Sequence, residues 1–111
     1  MPKSETLYKI RALVQAGKTL VSAHGYDELA ADDIFSDEVL DGIDHAEVVE
    51  DYPAASKGPS VLVLQHDSEG RPIHVVWGIP KGANEPAVMI TAYRPDPERW
   101  LAGFKERRTA I

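Results

Sequence analysis

Hydrophobic positions follow two regimes along this chain. Up to about residue 45 they recur at three- and four-residue spacing; from residue 46 they alternate or run together. Leu7, Ile10, Leu13 and Val14 form one helical stripe. Ser4 suits its N-cap, Glu5 its first turn and Gly17 its stop, which predicts a helix over 5–16. "KTLVSAH" is short and partly β-branched, and suits an extended segment. Ser22 caps a second predicted helix, "AHGYDELAADD", in which Gly25 costs about 1 kcal/mol relative to alanine. Ser36 caps a third, "DEVLDGID", with Val39, Leu40 and Ile43 as its apolar stripe.

The second half reads as strands. "AEVVEDY" alternates, and "PSVLVLQHD" and "PIHVVWGI" are near-continuous apolar runs on either side of the turn "SEGR". "PKGANEP" is a loop that leads into "AVMITAYR". Pro95 and Pro97 end that strand, and Asp96 is placed to cap a short helix through "ERWLAGFKERR". Short connections favour antiparallel neighbours. The expected fold is therefore α+β and two-layer: N-terminal helices packed on an antiparallel four-stranded meander sheet, with a short C-terminal helix, as one domain over 1–111.

Alternation also assigns faces. With the turn centred near Glu69, His74 lies opposite Leu64 and His66 opposite Pro72. Leu62, Leu64, His66, His74 and Val76 then share one face, and Val61, Val63, Ile73, Val75 and Trp77 the other. The second set is bulkier and reads as the helix-facing core, which leaves His74 on an open face of the sheet. Tyr93 and Arg94 point to opposite faces of the last strand, so only one of them can share a face with His74.

Composition narrows the chemistry. The chain has no cysteine, which removes disulfides, thiolate nucleophiles and cysteine-based zinc sites and fits a cytoplasmic location. No run of about 18 apolar residues is present, so no membrane span is expected, and the N-terminus has no apolar core of signal-peptide type. The net charge of −6 weighs against a non-specific nucleic-acid binder. The charge is polarised, however. Eleven acids lie between Asp27 and Asp51 with no Lys or Arg, whereas Lys81, Arg94, Arg99, Lys105, Arg107 and Arg108 make the last third locally basic. Walker, dinucleotide, nucleophile-elbow and HExxH motifs are all missing. His66, Asp67 and His74 match no metal-ligand spacing, so neither a metal nor another cofactor is expected.

The motifs "GRPIHVV" and "ITAYRPDPERW", following "VVEDYP", resemble the domain of unknown function 4258 family over roughly residues 20–100, with helix 5–16 as an extension. The resemblance implies a RelE/barnase-like ribonuclease-toxin fold and an antitoxin or other protein partner. It places the family's helix histidine at His24, its strand histidine at His74, its strand tyrosine at Tyr93 and its closing aromatic at Trp100. Two helix positions that are commonly arginine in the family are Glu28 and Asp32 here, charges that repel phosphate.

Two function classes follow. In the first, the chain is a metal-independent endoribonuclease-type toxin. His74 and His24 are the acid–base candidates, since an imidazole titrates near neutrality. Arg94 is the electrostatic candidate, Tyr93 shares the catalytic set, and Lys81 on its loop is the substrate-binding candidate. RNA is then the substrate, against the sign of the net charge. In the second, a non-catalytic binding or regulatory module keeps the fold and contacts a basic protein partner through its acidic helices. Each candidate also has a plain structural role open to it: a backbone hydrogen bond for His24, a half-exposed strand position for His74, an ion pair for Arg94, packing for Tyr93, Trp77 and Trp100, and solvation for Lys81.

Overall fold

A computed structural model describes residues 3–109. Helix α1 (Glu5–Gln15) is followed by strand β1 (Thr19–Val21), α2 (Ala23–Ala31), α3 (Ser36–Asp41) and a 3₁₀ turn (Gly42–His45). Strands β2 (Glu47–Tyr52), β3 (Ser60–His66), β4 (Pro72–Gly78) and β5 (Ala87–Tyr93) complete the regular structure. One five-stranded sheet has the order β1-β5-β4-β3-β2.

The meander β2–β5 is antiparallel, with His74 paired to Leu64 and His66 to Pro72. The expected sheet lacked one strand. "TLV" adds to the free edge of β5 in parallel, Thr19 opposite Ala87, so the sheet is mixed. Three residues carry too little periodicity to announce a strand; the edge of β5 organises them. Ser4 caps α1 as expected, accepting from the Leu7 N–H, and its hydroxyl donates to Asp51 on β2. Ser36 does not cap α3: Phe35 holds the N-cap position without a side-chain bond.

One face of the sheet packs the core. Val61, Val63, Ile73, Val75 and Trp77 meet Leu7 and Ile10 of α1, Leu29 of α2, and Val39 and Ile43 of the α3 region. Burial of such side chains contributes about 1.5–3 kcal/mol each. Within this core Gln65 donates to the Val39 carbonyl and accepts from the Trp77 indole N–H, so its amide is satisfied at 2.7 and 3.0 Å. Gly25 has a packing role as well. A Cβ there would lie 2.9 Å from the Met89 carbonyl, so α2 crosses β5 at a contact only glycine permits.

The second face is not open. Residues 95–109 fold back across it as a strap, where a short helix was expected. One turn forms, with Trp100 N–H donating to the Asp96 carbonyl, and the chain then reverses. Gly103 and Phe104 have positive φ (90° and 59°), which no helix accommodates, and Leu101 and Arg108 bond back to Glu106 and Arg99. Trp100, only 3% exposed, forms an isolated bridge with Arg107. Beneath the strap Leu62, Leu64 and His74 are buried, although none belongs to the main core.

Candidate functional site

The second face gathers a compact set of polar side chains. Pairing β2–β3–β4–β5 places Glu47, Leu64, His74 and Tyr93 in one row across the sheet. Glu50, Leu62, Val76 and Thr91 form the next. The strap touches both rows. His74 is fully buried, with Trp100 edge-on to its ring at 4.4 Å and Tyr93 edge-on at 5.4 Å.

Both imidazole nitrogens are engaged. Nε2 lies 2.7 Å from the Phe104 carbonyl oxygen, and Nδ1 lies 3.2 Å from the Tyr93 hydroxyl. A carbonyl can only accept, so Nε2 carries the proton of the neutral ring and Nδ1 accepts from Tyr93. Burial lowers the His74 pKa below the ordinary imidazole value; the Phe104 hydrogen bond opposes that shift, Arg107 adds to it, and Glu50 opposes it. Burial likewise pushes the Tyr93 hydroxyl up.

Glu50 and Arg107 form the second half of the cluster. The guanidinium grips the carboxylate through two bonds, of 2.8 and 2.9 Å, and lies 4.6 Å from the centre of the Trp100 ring. The Tyr52 hydroxyl donates to the same carboxylate. The Arg107 bond holds the Glu50 carboxyl below the usual range against a smaller opposing effect of burial, and Glu50 in turn raises the Tyr52 hydroxyl and holds Arg107 firmly protonated. Lys105 pairs with Glu47 beside it.

The other candidates lie elsewhere. His24 is exposed on α2, 3.6 Å from Glu28, and α2 packs through Leu29 on the core face; His24 and His74 are thus on opposite sides of the sheet. Arg94 is committed to structure. It donates to Asp67 at 2.8 Å and to the Pro72 carbonyl at 3.2 Å, while its backbone N–H donates to Asp32 at 2.7 Å. One of the two acids in the place of family arginines therefore ties α2 to the end of β5. Lys81 is exposed on the β4–β5 loop, where its backbone N–H donates to the Lys57 carbonyl. Asp67, nearly fully buried, is not gathered with His66 and His74 as a ligand set; among the described residues no three His, Cys, Asp or Glu side chains converge as a metal site.

Sequence reasoning placed His74 on the sheet face away from the helices, though it expected that face to be open, and it left undecided whether Tyr93 or Arg94 shares it; the register gives Tyr93. Sequence reasoning missed Glu50 and Arg107. Glu50 sits in an acidic run that reads as a solvated face, and the Val48/Glu50 irregularity in the β2–β3 register obscures which way it points. Arg107 lies in a segment read as a helix, so nothing local linked it to β2.

A two-layer α+β domain with a histidine-centred polar cluster on the sheet face opposite its helices is the class that these features define. The family follows from the sequence match: residues 21–94 match the domain of unknown function designated DUF4258, and the chain belongs to that family. No curated protein and no solved structure matches the chain. The matched segment starts at Val21, the last residue of β1, and runs through α2 to β5, ending at Arg94 just before the strap.

Proposed function

We propose that this chain is an endoribonuclease-type toxin domain whose reaction centre is the sheet face around His74 and Glu50. One observation carries the reading: an imidazole, a carboxylate and two phenols share that face, with no metal needed for acid–base chemistry. Cleavage of RNA through its 2′-hydroxyl requires a base for that hydroxyl and an acid for the departing 5′-oxygen. Glu50 suits the base, since a carboxylate is ionised at neutral pH. His74 suits the acid in its protonated form, an imidazolium that gives its Nε2 proton to the 5′-oxygen and returns to a neutral ring whose Nδ1–H is oriented by Tyr93 as a positioning residue. The two lie two strands apart, on the order of 10 Å between strand axes, a span suited to one nucleotide linkage. Arg94 leaves the original set because Asp67 and Pro72 occupy it, and His24 leaves because it is on the far side.

A second reading, a non-catalytic module for a basic protein partner, would use the exposed acids Asp27, Asp33, Asp37 and Asp41 on and around α2 and α3. The test is direct. The purified protein and its Glu50→Gln and His74→Gln variants are incubated with single-stranded RNA in a chelator. Cleavage to 2′,3′-cyclic phosphate ends that falls at least a hundredfold in both variants is expected. Intact RNA with wild type, in dilute buffer and in 0.5 M salt alike, removes the ribonuclease reading and leaves the binding module.

A further inference from the structure

The strap's polar bonds fall on the same atoms that the proposed chemistry needs. The Phe104 carbonyl occupies Nε2 of His74. Arg107 occupies both carboxylate oxygens of Glu50. Trp100 covers the imidazole ring, and Lys105 engages Glu47 at the end of the same row. The strap begins where the family segment ends. Its hold is uneven. Trp100 is an apolar anchor, but the two charged pins are partly solvated: the Lys105 and Arg107 side chains are 47% and 61% exposed. Exposed ion pairs are weak and are screened by salt. Between Trp100 and Thr109 the strap has no helix or strand and only a single isolated bridge, so its release would disrupt no regular element.

We infer that residues 95–109 are a cis-acting strap that closes the His74–Glu50 face and must lift before any ligand reaches it. As an inhibitor of catalysis the strap rests on the ribonuclease reading; as a gate to His74 it does not. Lifting frees the Nε2–H of His74 and removes both Arg107 bonds from Glu50 in one motion, because Phe104 and Arg107 lie three residues apart on one segment; the Tyr52 hydroxyl on β2 stays on Oε1. Tyr93 belongs to β5 and stays in place, so the imidazole keeps its orientation in the open state. The groups facing His74 from every side are Tyr93 on β5, Glu50 and Glu47 on β2, and Arg107 and Lys105 on the strap, which makes the closed state sensitive to salt as well as to substitution of either basic residue.

The experiment uses the full chain and reads the gate separately from catalysis. Diethyl pyrocarbonate modifies accessible imidazoles, and peptide mass mapping assigns the sites. In wild type, exposed His24, His45 and His66 should react while His74 stays protected. In a Lys105→Glu/Arg107→Glu variant, His74 should react at least tenfold faster, and amides 100–108 should exchange at least tenfold faster while β3 and β4 remain protected. Wild type in 0.5 M salt should move the same way by a smaller factor, which keeps the test valid if the variant folds poorly. A His74 that stays protected in both conditions overturns the strap. A His74 that becomes reactive while RNA remains intact upholds the gate and overturns the ribonuclease reading. Accelerated RNA cleavage together with a reactive His74 upholds both.

Discussion

At the scale of single residues, Asp67 is a buried carboxylate held by four donors. It is the buried acceptor at the β3–β4 turn, taking bonds from the backbone N–H groups of Glu69 and Arg71 and from the Arg71 and Arg94 side chains. Burial raises its pKa, but these donors outweigh burial and hold it at about 2, below its ordinary 3.8. A carboxyl with a depressed folded pKa stabilises the fold at all pH values above its unfolded pKa. That stabilisation is lost as pH falls from about 4 to about 2, and it amounts to roughly 2 kcal/mol. Asp67→Asn should remove the corresponding part of the acid-unfolding slope while leaving the slope above pH 5 unchanged, as followed by urea melts at a series of pH values. His74 works in the same direction at higher pH. Its lowered pKa means that the unfolded chain takes up a proton first, so stability is full above about 6.5 and declines below it. His74→Gln should flatten that part of the curve.

At the scale of elements, the contrast between the strands and the strap explains what the sequence disclosed. Strands β3 and β4 were legible in face and register, with bounds within a residue, because an apolar run on each side of one short turn leaves a single pairing that buries Ile73, Val75 and Trp77. Helices α1 and α2 were legible from their caps and stripes. β1 was legible only as an extended segment and not as a member of the sheet, and the strap was not legible. Each is organised by surfaces distant in sequence: the free edge of β5 for β1, and Glu47, Glu50 and His74 for the strap. The "ERWLAGFKERR" stretch has helical composition, but Trp100 and Arg107 gain more by meeting His74 and Glu50 than by continuing a turn. The candidate site was half legible for the same reason, since its β4 and β5 members lie in a clear alternation and its Glu50–Arg107 members do not. Gly25 shows how tertiary contact reverses a local preference. Alanine there would gain about 1 kcal/mol of helix propensity, yet its Cβ meets the Met89 backbone. Gly25→Ala should therefore destabilise the protein by roughly 1–2 kcal/mol, an overpacking cost measurable by urea denaturation.

At the scale of the whole molecule, the two faces of the sheet are closed in different ways. One is sealed by the helices with an apolar core. The other is sealed by a strap fastened largely through charge and one tryptophan. The polarity noted along the chain acts within this arrangement: acids on β2 meet bases carried by the strap, across 57 and 58 positions. Two acids of the acidic run, Glu47 and Glu50, are thus paired internally, while Asp27, Asp33, Asp37 and Asp41 stay exposed. Among the described residues no helix is long and apolar enough to cross a membrane.

The parallel contact between β1 and β5 also sets an order of assembly. Thr19 and Ala87 are 68 positions apart (87 − 19), whereas Leu64 and His74 are only 10 apart (74 − 64). Closing the longer loop costs more chain entropy and yields only three residue pairs. The β3–β4 hairpin should therefore form early, with β1 joining once β5 is in place. Folding kinetics would show it: Val75→Ala should slow refolding, whereas Val21→Ala should mainly speed unfolding. A segment of three residues, silent in the hydropathy pattern, would then be the final stitch that commits the chain to its native topology.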